Sequence, residues 1–403
     1  MFKKIMNADH AREVFLKEVT PLARYELLPI EKSDGRIAAE DIIAEMNVPH
    51  YSRAAMDGFA VRSSDTLGAG ANSPVMLKLD KKVEKGVCAR VHTGSPVPEG
   101  ADAVVMLEDT ESHNSMVEIF TQIHPFKNVG EIGEDIRKGE TVIVGGHRLR
   151  PCDIAVLASL GIKDIKVEKR PRVSIIPTGE ELVKRWKRQL QEGEVYETNG
   201  LMADLYIKKW GGISQLHEIV TDDAEKIKEA ILSAHDADMI IISGGTSVGK
   251  RDYVPSVVES LGKLLVHGVG ISPGKPAAIG LINGKPVICM PGYPVAGIVA
   301  LYWFARPALR KLGNIPDEPE RMVRAVLAEK ITSRTGYKTF ARVRLETPLL
   351  KVGTGAGSYR AIPLATSGAG ILSSVSKADG FVIIPENIEG LEAGKEVDVV
   401  LIE

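Results

Sequence analysis

The chain has 403 residues, room for two to four domains with separate cores. Hydrophobic residues are 44% and charged residues 26%, and 51 basic against 53 acidic residues leave a formal charge of −2, which excludes the basic footprint of a nucleic-acid-binding protein. No apolar run reaches the ~20 residues of a membrane span; the opening M-F-K-K-I-M-N-A-D-H is too polar for a signal peptide; and three scattered cysteines, Cys88, Cys152 and Cys289, point to reduced thiols in a cytoplasm, not to disulfides or zinc.

In chain order, residues 8–23 predict an amphipathic helix, with Ala11, Val14, Phe15 and Val19 at helical spacing and Asn7 or Asp9 as its cap. A second short helix is expected over 37–43. Asp57-Gly58 reads as a turn, and Phe59-Ala60-Val61 as a strand after it. Residues 75–145 alternate short β-like runs with Gly and Pro turns, the pattern of a small all-β module. Within it lie the hydroxyl-bearing loop V-H-T-G-S-P-V-P (91–98) and the acidic loop G-E-I-G-E-D-I-R (130–137). Residues 151–160 predict a helix with Asp153 near its start.

From residue 173 the pattern changes to strands alternating with helices. Strands are expected over 173–176, at Ile219, over 239–242 and over 287–290, with helices over 199–209, 223–234 and 295–312. This describes a doubly wound α/β domain. P-D-E-P-E (316–320) is a polar linker, and 322–403 returns to short strands, ending over 399–402, as a second small β module.

The chemistry gathers at the strand ends of the α/β domain. Three of them run into T-G-E-E (178–181), S-G-G-T-S (243–247) and P-G-Y-P (291–294). Such ends present bare backbone N–H groups at the carboxyl edge of the sheet, where open α/β folds bind ligands and where an oxyanion is well received. Lys275, stiffened between Pro273 and Pro276 in S-P-G-K-P, is a point charge for an anion. Glu180, Glu181 and Asp252 are hard oxygen donors of the kind Mg²⁺ prefers. Together they describe a site for a phosphorylated ligand with Mg²⁺. Two other motifs are incomplete. Gly244 to Lys250 spells G-x-x-x-x-G-K, but Arg251 follows where a P-loop needs Ser or Thr. Gly245 to Gly249 spells G-x-S-x-G, but His267 is the sole later histidine to complete a triad.

The chain resembles the MoeA family, the molybdopterin molybdenumtransferases, whose animal and plant counterparts are the E domains of gephyrin-like proteins. The matching motifs are S-R-A-A-M-D-G-F-A-V-R (52–62), H-T-G-S-P-V-P-E-G-A-D-A-V-V-M (92–106), G-E-D-I-R-K-G (133–139), L-A-S-L-G-I (157–162), T-G-E-E-L (178–182), S-G-G-T-S-V-G (243–249) and P-G-K-P (273–276), in this order. The resemblance implies a multidomain α/β plus β protein. A helical linker domain (1–46 plus 142–170) would carry an inserted β domain (47–141). A molybdopterin-binding-like α/β domain (171–318) and a C-terminal β barrel (322–403) would follow.

The implied reaction inserts molybdate into adenylylated molybdopterin and releases AMP, with Mg²⁺ as cofactor. The implied assembly is a homodimer whose sites combine the α/β domain of one subunit with the β domain of the other. In that reading Asp57, Asp135 and Lys275 are catalytic. Glu181, Asp252 and Asp57 are candidate metal ligands, Asp57 serving either in that role or in positioning the attacking group. Substrate contacts fall on Thr93, Thr178, Glu180, Asn199, Ser243, Gly244, Gly245, Thr246, Ser272, Pro276, Pro291, Gly292 and Arg342.

Three departures bear on the oxyanion. Ser272 stands where the family usually has Lys, Tyr293 and Ala296 stand in P-G-Y-P-V-A where it has P-G-N-P-V-S, and T-S-G-A-G-I-L-S-S (366–374) replaces T-G-x-Q-x-S. One cation and some oxygen donors are thereby lost, with Arg342 as the candidate to compensate. Tungstate in place of molybdate, a molybdopterin adenylyltransferase, and a non-catalytic pterin-binding paralogue or scaffold are the alternative readings. The M-D-G loop and the retained Asp57, Asp135, Glu181, Asp252 and Lys275 weigh against the last two.

Overall fold

A computed structural model of the chain describes residues 5–185, 188–246, 253–347, 359–364 and 370–402. The chain forms two compact units, one of Leu27–Val167 and one of Met1–Glu26 with Glu168–Glu403. No helix among the described residues is long and apolar enough to cross a membrane.

The first unit is built on a six-stranded sheet in the order Ala103–Met106, Gly58–Val61, Val87–Val91, Val75–Leu79, Met116–Ile119, Thr110–His113. Phe59, Leu77, Val105, Val117 and Ile119 alternate onto one face to make its core. Gly58 is the first residue of its strand, not a turn residue: a Cβ there would lie 1.9 Å from the Val105 carbonyl oxygen. A second core gathers Ile30, Ala38, Leu149, Leu157 and Val167 beneath the helix Pro151–Ser159. The expected helix over 37–43 is absent. Ile37 and Ala38 form isolated bridges to Arg148 and Val167, and Ile42–Ile43 pairs antiparallel with Thr141–Ile143. These partners lie about 100 residues away or more, so long-range pairing overrides the local helical spacing.

The second unit centres on a mixed sheet in the order Ile213–Leu216, Arg172–Pro177, Met239–Ser243, Lys285–Met290, Ala278–Ile282, Lys263–His267. The first four strands are parallel, Ala278–Ile282 runs antiparallel to them, and Lys263–His267 pairs antiparallel with Ala278–Ile282. Met239–Ser243 is buried throughout because helices cover both faces. Ile175 and Ile241 pack with Ala203, Ile207, Val299 and Phe304 on one side, and Ile176, Ile240 and Ile242 with Ile227, Ile231 and Val258 on the other. The strand expected at Ile219 lies earlier, at Ile213–Leu216, and Val220 forms a single bridge to Thr178. The N-terminal helix is Ala8–Glu18, capped by Asn7, whose Oδ1 accepts the His10 N–H. It stops short of residue 23 because Thr20 precedes Pro21. Phe15 meets Phe304 edge to face, with ring centroids 6.0 Å apart. The closing helix over 294–312 widens into one π turn at Leu301–Ala305, just before Pro307, which has no N–H to donate.

Beyond the linker, Lys338–Glu346, Tyr359–Pro363, Met322–Leu327, Glu396–Leu401 and Gly380–Ile384 pair in turn, and the last pairs back with the first, closing a five-stranded barrel. Ile271–Ser272, from the α/β domain, adds in parallel to Lys338–Glu346.

Candidate functional site

Arg172–Pro177, Met239–Ser243 and Lys285–Met290 are adjacent and parallel, with Pro177 opposite Ser243 and Ser243 opposite Met290. The three loops singled out in the sequence therefore leave the carboxyl edge side by side. They are stitched together by their own backbone: Thr178 N–H donates to the Ser243 carbonyl at 2.7 Å, and Gly244 N–H to the Met290 carbonyl at 3.0 Å. Gly244 has φ +107°, and a Cβ on it would lie 2.2 Å from the Thr178 carbonyl oxygen, so the loop passes closely enough to exclude any side chain. Thr178, Ser243 and Thr246 are buried. Asn199, also buried, donates from Nδ2 to the Gly292 carbonyl at 2.7 Å, tying the helix Asn199–Lys209 to the third loop.

Glu180 and Glu181 are both exposed. The Glu181 carboxylate lies against the α-carbon of Gly179, where a Cβ would be 2.8 Å from it, and it has no hydrogen-bonding or ionic partner among the described residues. An exposed, hard, uncommitted oxygen pair beside these strand ends fits Mg²⁺. Asp252 lies outside the described residues, as do Ser247 to Arg251, where both incomplete motifs continue, and Ala365 to Ala369 of the C-terminal element.

Against the third loop opens a cavity of about 450 Å³ whose walls come from the α/β domain and the barrel. The first wall contributes Ser272, Lys275, Pro276 and Pro291, and the second Arg334 and Arg342. Lys275 is held in a tight loop whose ends are fixed by Val269 N–H donating to the Lys275 carbonyl and Ala277 N–H to that of Gly274, both at 2.9 Å. Arg342 is 3% exposed, and burial pushes its guanidinium below the ordinary value. The cavity lining holds these three cations and, among the described residues, no carboxylate. Tyr293 and Ala296 also line it. Tyr293 takes the N-cap position of the helix Pro294–Ala300 without a side-chain capping bond. Arg342 lines the same cavity as Ser272 and Lys275; so do Arg334 and Tyr337, which the sequence did not single out, because only the pairing of Ile271–Ser272 with the barrel brings their loop to this wall.

In the other unit, Asp57 and Thr93 meet directly. The Asp57 carboxylate accepts the Thr93 N–H at 2.7 Å and its hydroxyl at 3.1 Å, and His92 Nδ1 stands 3.8 Å away. The Thr93 N–H above all, then its hydroxyl, holds the Asp57 carboxyl below the ordinary carboxylate range. Asp57 thus has a structural partner that its motif did not reveal: it clasps the 92–95 turn. Asp135 is exposed, and its side chain makes no hydrogen bond to Asp57 or Thr93; the Asp135 N–H donates to the Val48 carbonyl at 3.1 Å. The three cysteines are free thiols, and burial pushes Cys88 up to about 11 and Cys289 to about 12, which keeps both protonated and inert.

Three family models match the chain: the MoeA N-terminal region (domains I and II) over 6–161, a probable molybdopterin binding domain over 174–311, and the MoeA C-terminal region (domain IV) over 324–402. A molybdopterin biosynthesis MoeA protein from Pyrococcus horikosii superposes with a TM-score of 0.85 at 36% identity, covering 99% of both chains. The molybdopterin molybdenumtransferase of Haemophilus influenzae is 30% identical over 98% of each chain. Molybdopterin molybdenumtransferase 2 of Mycobacterium tuberculosis is 32% identical over 97% of this chain and 98% of its own. Domain for domain and along its whole length, the chain belongs to the MoeA family.

Proposed function

We propose that the chain is a molybdopterin molybdenumtransferase that inserts molybdate into adenylylated molybdopterin and releases AMP. The observation that carries this reading is the cavity lined by Lys275, Arg334 and Arg342, with no carboxylate among its described lining, against the third of three adjacent strand-end loops. A doubly charged tetrahedral oxyanion suits such a cavity, and the loops suit the phosphates of the partner substrate.

The residues divide the work. Thr178, Asn199, Gly292 and the 243–246 loop hold the nucleotide-bearing substrate, with Glu180 beside them. Lys275 and Arg342 hold the oxyanion and offset the charge that gathers when the phosphoanhydride bond breaks. Ser272, Pro276 and Pro291 shape that pocket. Glu181 and Asp252 would hold Mg²⁺, which when bound neutralises phosphate oxygens and supports departure of AMP. Asp57, kept anionic by Thr93, positions the attacking group or contributes to the metal, and Asp135 lies in the same unit.

We further propose a homodimer in which Asp57, Thr93 and Asp135 of one subunit complete the loops of the other. Purified protein incubated with adenylylated molybdopterin, Mg²⁺ and molybdate is expected to release AMP only when all three are present. AMP release independent of oxyanion, or adenylylation from ATP instead, overturns the assignment. Tungstate in a parallel reaction decides which anion is used. Mixing Asp57→Asn with Lys275→Ala subunits is expected to restore part of the activity; proven heterodimers without activity overturn the shared site.

A further inference from the structure

We propose that Arg334, stacked on Tyr337, is the rim cation that draws in the oxyanion, distinct from Arg342 at the buried base. This rests on reading the cavity as the oxyanion pocket. Lys275, Arg334 and Arg342 all line it, but in different settings. Arg342 is 3% exposed on a barrel strand, whereas Arg334 is exposed on the loop that precedes that strand.

The Arg334 carbonyl accepts the Tyr337 N–H at 3.3 Å, closing a turn over residues 334–337. The turn brings the guanidinium over the Tyr337 ring, 5.2 Å from its centroid. Tyr337 itself lines the cavity. The stack limits the rotamers of a long side chain, so less freedom is lost when it closes on a ligand. Among the described residues the Arg334 side chain has no carboxylate partner, so its charge is available to an incoming anion.

A planar guanidinium at the mouth offers two parallel N–H groups to two oxygens of a tetrahedral anion, which a lysine cannot do. Ser272, on the facing wall, is neutral. Arg334 therefore supplies charge at the entrance, and Arg342 and Lys275 hold the anion once inside.

The test is calorimetric titration of the full chain with sodium molybdate and with sodium tungstate, without the pterin substrate. Arg334→Gln is expected to weaken oxyanion binding about three- to tenfold at low salt. The loss should shrink as NaCl is raised, since an exposed charge is screened. Arg334→Lys should recover only part of the affinity, and Tyr337→Leu should weaken binding about two- to fivefold with the charge retained. Thermal melts serve as the control, because an exposed arginine without an ion pair should leave the melting temperature unchanged. Unchanged affinity in Arg334→Gln, with clear weakening in Arg342→Met, overturns the role of Arg334 and leaves the pocket assignment standing. No oxyanion binding by the wild type, or no weakening in any of Arg334→Gln, Arg342→Met and Lys275→Ala, overturns the pocket assignment itself.

Discussion

Replacing Gly244 by alanine tests the geometry of the cradle most directly. The new Cβ would begin 2.2 Å from the Thr178 carbonyl oxygen, which is itself buried in the seam between two strands. Reaching an ordinary contact of about 3.4 Å requires the loop to retreat by about 1.2 Å. The residue also sits at φ +107°, and forcing a side chain there costs about 1–3 kcal/mol. For a domain of this size that lowers the melting transition by about 2–12 °C. If this loop holds the substrate phosphates as proposed, a displacement near 1 Å is expected to reduce turnover on the order of 100-fold. Gly292→Ala is the matched control. It lies in the neighbouring loop, but the nearest atom to its Cβ would be 3.8 Å away, the α-carbon of Gly244 itself. Its melting temperature should match the wild type. Differential scanning calorimetry and AMP-release assays on both variants give the readout. If Gly244→Ala melts and turns over like the wild type, the loop has room that the structure denies it, and the backbone seam between the loops is not held as described.

Three further outcomes follow from the geometry. Asp57→Asn keeps an oxygen for the Thr93 N–H, so the 92–95 turn should persist while AMP release falls about 100-fold or more; near-normal turnover removes Asp57 from the chemistry. Ser272→Lys adds a fourth cation to a cavity that already holds three, so the half-saturating molybdate concentration should fall only about two- to fivefold; a gain well above tenfold in a molybdate titration would mean that Arg334 and Arg342 do not reach the anion. Asp153 is held far below the ordinary carboxylate range, first by Arg150 and then by His147, so its stabilising contribution is present above about pH 4 and lost as pH falls through its folded value. Melting of Asp153→Asn should therefore differ most from wild type at neutral pH, and the two curves should converge in acid.

Much of this architecture was legible in the chain. The isoleucine run Met239 to Ile242, the helix at 199–209 and the three loop motifs each announce themselves locally, and parallel neighbours in the sheet then bring those loops together. The antiparallel strand Ala278–Ile282 did not, because Gly280 interrupts its apolar pattern; the position stays small since a Cβ would fall 2.6 Å from the Lys263 carbonyl oxygen. Residues 37–43 carry a spacing that fits a helix, and only partners beyond residue 140 make them extended. Arg334 had no signal at all in S-R-T-G-Y. Its place in the cavity depends on Ser272 pairing with Thr339, a contact between segments that local pattern cannot link. The M-D-G acid was flagged by motif, but its bond to Thr93 required the strand Val87–Val91 to lie beside Gly58–Val61.

The two-residue strand Ile271–Ser272 has an evolutionary consequence. By joining the barrel sheet it makes the cavity the joint property of two folds, with one wall encoded by 271–296 and the other by 334–342. Recombination between relatives at any crossover in the intervening stretch would inherit one wall from each parent, and the spacing of the cations across the pocket would then be set by no single ancestor. Changes in anion preference within such a lineage should accordingly arise as paired substitutions on both sides of the linker, and chimaeras joined there should lose oxyanion affinity while both folds stay intact.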